Sequence, residues 1–355
     1  MSLPRDRSNG QTGFELSRRT LLRATAAACP LLLAPARAGV TRPANAVSVT
    51  DVGAKGDGVA DDTAAIQSAH SMGRPVFYPK PPKAYRITRS IQVSSDTSGD
   101  SATIHVEQSG TLKHVIFDVS TTGAPLTIGG MVLEGSYSGQ TTGEYSHGIN
   151  LAGAENVTIA GNVIRNVRGD CVYVGSQEAR KASSGIVIEN NTLENPFRCN
   201  VAVVCGSNVK ISGNRISKPS DYVAAIDFEP NKNGFDFVRD VAVIGNQFDA
   251  AGYFIYLTSA APGQGRMTGL VFKNNSGRAK IFCRGNAEPM VVSPLFDGNS
   301  FEATDRDGRM FYFAGVKSAR LTNNVDKTNC LWLGYKSLQL YDEIPQMSAN
   351  QFCGN

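Results

Sequence analysis

Two carboxylates, Asp227 and Glu229, stand one residue apart in Ala224-Ala225-Ile226-Asp227-Phe228-Glu229-Pro230. In a strand, residues i and i+2 point to the same side, with Cα atoms about 6.6–7 Å apart. That lies near the roughly 6.5–9.5 Å at which inverting glycosidases hold an acid and a base on either side of a water. Two like charges so placed raise one pKa and leave one acid and one base near neutral pH. The plain alternative is a pair of solvated acids matched to Arg198 or Lys210. Asp170, in Gly169-Asp170-Cys171, offers a third carboxylate. Tyr173, Tyr256 and Tyr312 offer flat rings suited to the apolar faces of pyranose sugars. Arg284 offers a guanidinium that grips a uronate carboxylate bidentately. His147 is read as a base or a structural corner residue, and Arg198 as a further substrate contact.

These residues are scattered over the chain, so a repeat must bring them together. One phrase recurs, apolar alternation followed by a small or polar residue and then Asn: VTIAGNVI, IVIENNTL, VKISGNRI and VAVIGNQF are four instances. The aligned residues are Asn162, Asn191, Asn214, Asn246, Asn275, Asn299, Asn324 and Asn350, with gaps of 29, 23, 32, 29, 24, 25 and 26 residues. Met131 fills the same slot one step earlier. A period near 25 with strand alternation predicts one turn of a parallel β-solenoid per repeat. A buried Asn at each bend offers two donors and an acceptor to stranded backbone groups, and Asn side chains stacked at about 4.8 Å can bond to one another. A second strand precedes each Asn phrase. Its alternation sends Ile149, Val172, Val203, Ile226, Ile255, Ile281 and Phe311 inward. It sends Asn150, Tyr173, Asp227, Glu229, Tyr256, Arg284 and Tyr312 onto one outer wall. Asp170 then falls two coils before Asp227, about 9.6 Å along the axis.

The ends of the chain read differently. Ser17-Arg18-Arg19-Thr20-Leu21-Leu22, a short apolar run and Ala36-Arg37-Ala38 form a twin-arginine signal with a cleavage site, so residues 1–38 are expected to be removed on export to the periplasm or beyond. Six of the 35 basic and two of the 31 acidic residues lie in that segment, leaving 29 of each. A neutral chain without Lys/Arg runs argues against nucleic acid, and no other stretch reaches membrane-spanning length. Residues 39–355 read as one solenoid domain, with 47–90 as its cap and first coil. In the cap, Asp61-Asp62-Thr63 caps a short helix that covers the open strand edge. The loop GDGVADD lacks the spacing of an EF-hand. Six cysteines remain without a CxxC pair, so structural zinc is not expected. They read as small buried packing residues, with Cys330 and Cys353 a tentative disulfide.

The entry phrase DVGAKGDGVADDTAAIQ, followed by VFYPKPPKAYRIT, resembles the pectate-lyase superfamily, in the branch of polygalacturonase-like and rhamnogalacturonase-like proteins, epimerases and phage tailspikes. The resemblance runs from Val47 to about Asn350. It implies an all-β, single-stranded, right-handed parallel β-helix with a short N-terminal capping helix. It implies less about chemistry. Asn150 stands where the polygalacturonase pattern has Asp, Gly169-Asp170-Cys171 has one Asp rather than two, and Cys199-Asn200-Val201-Ala202-Val203 lacks the His. Asp170 alone matches a functional position of that family.

The expected function is therefore cleavage of a polysaccharide, acidic by the Arg284 reading, with Asp227, Glu229 and Asp170 as catalytic residues. Tyr173, Tyr256, Arg284, Tyr312, His147 and Arg198 would bind substrate. No cofactor is required, although some β-helix lyases hold calcium on acidic clusters, and Asp227 with Glu229 could do so. Alternatives are a uronate lyase or epimerase, or a binding β-helix without catalysis. A monomer and a homotrimer are both compatible with the chain.

Overall fold

Apolar alternation at a period of two builds strands, and here the strands wind. The computed structural model describes residues 41–108, 114–121, 123–140, 142–178, 180–218, 220, 222–230, 234–258, 266–284, 290–302, 311–327 and 346–350. Within its strands, the side chains of 251–254, 256, 258, 282, 284, 312 and 347 are outside the description. The described residues fall in one compact unit spanning Gly39–Asn355. Residues 1–38, read from sequence as an export signal, and both Cys330 and Cys353 lie outside the described residues.

Each strand pairs in parallel with the strand one coil on, which makes the chain a parallel β-helix. Three faces recur among the described residues. The first carries Val157–Ala160, Lys181–Glu189, Gly206–Ser212, Val238–Ile244 and Met267–Lys273. The second carries Val163–Arg165, Thr192–Glu194, Arg215–Lys218 and the start of Gln247–Thr258. The third, the wall, carries Ile149–Ala152, Val172–Gln177, Val201–Val203, Ala224–Phe228 and the end of Gln247–Thr258.

The register of the wall matches the alternation. Ile149, Val172, Val201, Ile226, Ile255, Ile281 and Phe311 align as one inward column, and all are buried. Asn150, Tyr173, Ala202, Asp227, Tyr256, Phe282 and Tyr312 align as the outward column beside it.

The corner between the first and second faces carries the asparagines. From Asn162 to Asn324, the backbone N–H and side-chain Nδ2 of each donate to Oδ1 of the next, ending on Asn350, at 2.9–3.2 Å. Met131 N–H opens the row by donating to Asn162 Oδ1 at 3.2 Å. Each Nδ2 also reaches a carbonyl one coil back, as Asn246 does to Ile211 at 2.9 Å. The residue before each ladder Asn is left-handed: Gly161, Asn190, Gly213, Gly245, Asn274, Gly298, Asn323 and Ala349 have φ of 52–66°. Gly and Asn tolerate that conformation best, which explains the small or polar residue of the repeated phrase.

At the N-terminal end a helix spans Thr63–His70, and its buried Ile66 and Ala69 join the core cluster of Val49, Val76 and Ile91. Its cap differs in detail from the expectation. Asp61 Oδ1 accepts from Thr63 N–H at 3.0 Å. Asp62 turns away to accept from the N–H groups of Lys55 (2.7 Å) and Gly56 (3.0 Å).

Candidate active site

The turns that lead into the wall bring six of the nine sequence-selected residues into one cluster. Asp170 closes the turn before Val172–Gln177. Its Oδ1 accepts from Cys199 N–H at 3.0 Å, and its Oδ2 lies 3.1 Å from His147 Nδ1. The same Nδ1 lies 3.1 Å from the Asp170 backbone nitrogen. Gly169 permits this approach: a Cβ there would stand 2.8 Å from His147 Nδ1 and from the Ser146 carbonyl carbon. The His147 ring stacks on Tyr173 at 4.7 Å and 17°. Tyr173 folds back along its strand over Gly175, where a Cβ would lie 2.4 Å from the phenol ring.

Arg198 joins the cluster from the next coil, its side chain mostly buried. It pairs with Glu144, lies 3.6 Å from Asp170 Oδ1 and 4.0 Å from Glu229 Oε2. Burial opposes its charge, but Asp170, Glu144 and Asp227 overcome that and hold the guanidinium more firmly protonated than usual. Asp170 is the matching case. Burial would raise its pKa, yet the hydrogen bond and charge of His147, with Arg198, hold it below the usual carboxylate value.

Asp227 occupies the wall side of its strand, as alternation requires, but it is not exposed there. It is only 1% exposed. Neither carboxyl oxygen meets a hydrogen-bond donor, and Glu229, which acts on it electrostatically, is another carboxyl that can bond to it only if one of the two is protonated. Burial, then Glu229 and Asp170, push its pKa well above the ordinary value, with Arg198 pulling the other way. Glu229, two residues on, is the open member of the pair, with its side chain 37% exposed. The pairing with Lys210 does not form, because Lys210 sits 3.7 Å from Glu189.

The remaining three residues are placed only by backbone register. Tyr256 aligns with Asp227, Arg284 with Thr258 and Tyr312 with Phe282. Their side chains lie outside the described residues. Two groups escaped the sequence reading. Glu144 sits in a turn 54 residues from its partner Arg198, and no local pattern marks it. Asp236 is buried and accepts from Ser176 Oγ at 2.8 Å. It joins Asp170, behind burial, in raising the Tyr173 phenol.

A calcium ion would need several oxygens converging on one point. Among the described residues no group of three or more His, Cys, Asp and Glu does so, and Arg198 already lies against Asp170 and Glu229. The cluster does not fit calcium. Four of the cysteines, Cys171, Cys199, Cys205 and Cys283, are buried and outside any disulfide, as small packing residues should be.

Comparison with known proteins agrees with this architecture. A family model for a right handed beta helix region matches residues 147–301, which contain the whole cluster except Glu144. The N-terminal fragment of bacteriophage Phi29 gene product 12 superposes with a TM-score of 0.62 at 14% identity, over 79% of this chain and 53% of that one. The tailspike protein gp49 of Acinetobacter baumannii bacteriophage Fri1, a capsular polysaccharide depolymerase, gives 0.57 at 13% identity, over 88% and 64%. PfbA, a surface adhesin of Streptococcus pneumoniae, gives 0.53 at 15%, over 79% and 83%. The chain spans about half the length of the Phi29 fragment. At such identities the likeness is one of fold. No curated protein matches the chain.

Proposed function

We propose that this right-handed parallel β-helix protein is an exported enzyme that cleaves a polysaccharide lying along its wall. Asp227 is the general acid and Glu229 the general base. The observation that supports this most is the contrast between neighbouring carboxyls. Asp227 is buried, lacks a donor and has its proton held on, whereas Asp170, two coils earlier, is held ionised by His147 and Arg198. A carboxyl whose pKa is raised in this way holds a proton that it can give to a leaving glycosidic oxygen. Glu229, open to solvent beside it, can accept a proton from the attacking water. Asp170 acts as a positioning residue that fixes His147 and Arg198. The twin-arginine pattern supports export, and a tailspike depolymerase among the fold relatives supports a polysaccharide substrate.

The test is incubation of the protein lacking residues 1–38 with a panel of polysaccharides. New reducing ends without ultraviolet absorbance are expected, and Asp227→Asn and Glu229→Gln should each lower kcat/KM by about 10²–10⁴. Absorbance from an unsaturated uronide would make it a lyase. Binding unaffected by either substitution, with no product, would make it a binding protein.

A further inference from the structure

The described cluster holds more acids than cations. One guanidinium, Arg198, is shared by Glu144, Asp170 and Glu229, and His147 Nδ1 lies 3.1 Å from Asp170 Oδ2. Among the described residues, a sugar carboxylate arriving here would meet an excess of negative charge. A sugar ammonium would have to compete with Arg198 for carboxylates that it already holds.

A second feature lies beside the cluster. Tyr137, Phe197 and Tyr222 form a row of rings on turns that lead into the wall, with the coil of Arg168 between the first two and Phe197 and Tyr222 on neighbouring coils. Tyr137 and Phe197 are 5.7 Å apart. Phe197 and Tyr222 stack at 4.6 Å and 8°. Phe197 is buried while Tyr222 is 53% exposed, so the row ends in a supported ring facing solvent. Phe197 directly precedes Arg198. Tyr222 precedes Asp227 by five residues, which limits their Cα separation to about 17 Å. A rigid exposed ring of this kind suits the C–H face of an uncharged pyranose.

We infer that the polymer recognised at this site is a neutral polysaccharide, one ring of which lies on Tyr222 while an uncharged unit lies at Glu229, beside the buried Asp227. This rests on the polysaccharide reading above and replaces the acidic polymer that Arg284 suggests from sequence. The matched probes are polygalacturonate and the same polymer with its carboxyls reduced to alcohols, with neutral glucan, galactan and mannan and a free-amine polyglucosamine beside them. Binding is followed by calorimetry and cleavage by reducing ends. One or more neutral polymers should bind at least tenfold more tightly than polygalacturonate, and the carboxyl-reduced polymer should bind more tightly than its parent. Tyr222→Ala should raise KM about tenfold with little change in kcat, and Tyr222→Phe should restore it. Preference for polygalacturonate, above all if Arg284→Gln abolishes it, would overturn the inference while leaving cleavage intact. So would a preference for polyglucosamine, or a Tyr222→Ala variant with unchanged KM and binding. Neutral binding that depends on Tyr222 but yields no product would support the inference and overturn the proposed cleavage.

Discussion

At the scale of single residues, the site is governed by how far each charge reaches. Arg198 lowers the pKa of Asp227 and Asp170 raises it. If Asp227 must carry its proton to act, activity falls as pH rises through that pKa. Asp170→Asn removes a nearby negative charge and should move the alkaline limb of the pH–rate profile to lower pH. Arg198→Gln should move it to higher pH, and limbs that stay in place would remove Asp227 as the acid. A second buried group acts on stability instead. His70 donates to or accepts from the Tyr78 hydroxyl at 2.9 Å, and burial brings its pKa from 6.5 down to about 4. The unfolded chain therefore takes up a proton below pH 6.5 that the folded chain refuses until about pH 4. Stability present above pH 6.5 should fall by about 3 kcal/mol as pH drops to 4. Urea melts of His70→Leu across that window should lose this component of the slope.

At the scale of elements, the asparagine corner does the aligning. Asn246 accepts from the N–H and Nδ2 of Asn214 and donates to Ile211 carbonyl and Asn275 Oδ1. Asn246→Ala leaves the N–H and Nδ2 of Asn214 and the Ile211 carbonyl without this partner in the buried corner, while the backbone N–H at 246 keeps its bond to Asn275 Oδ1, and should cost about 3–5 kcal/mol in a denaturant melt. Ala349 is the member of the left-handed slots that is neither Gly nor Asn, at φ 52°. Ala349→Asn should stabilise the protein by about 0.5–1 kcal/mol, measured in the same way. This corner was legible because one residue type must recur there for one reason. The wall was legible in part. Alternation gives the side on which Asp227 emerges, but it carries no information about what lies over that side, so the burial that sets its protonation was not foreseeable. Glu144 and Tyr222 were invisible for a related reason. They sit in turns, where no period marks which residue will meet Arg198 or Phe197.

At the scale of the molecule, coil lengths vary from 23 to 32 residues while the ladder stays in register, so the variation is taken up elsewhere in each turn. The antiparallel hairpin that pairs Ser176 with Ala182 is one such place. Four Gly/Ser residues inserted after Glu178 should change stability by no more than about 0.6 kcal/mol. The same insertion after Gly213 would separate Asn214 from Asn246 and should leave the chain unable to fold, a difference readable by circular dichroism. The cluster itself draws on residues from Glu144 to Glu229, so it exists only once several coils have stacked.

The row of corner amides also has a sense of direction. Every oxygen looks toward the start of the chain, each NH₂ from Asn162 to Asn324 spans from a carbonyl one coil back to the oxygen of the next amide, and the backbone N–H that shares each oxygen forbids any member from turning round alone. Eight side-chain dipoles therefore add along the stack rather than cancel. Polarised from both sides, a central amide such as Asn246 should be harder to replace than Asn350, which closes the described row by accepting from Asn324.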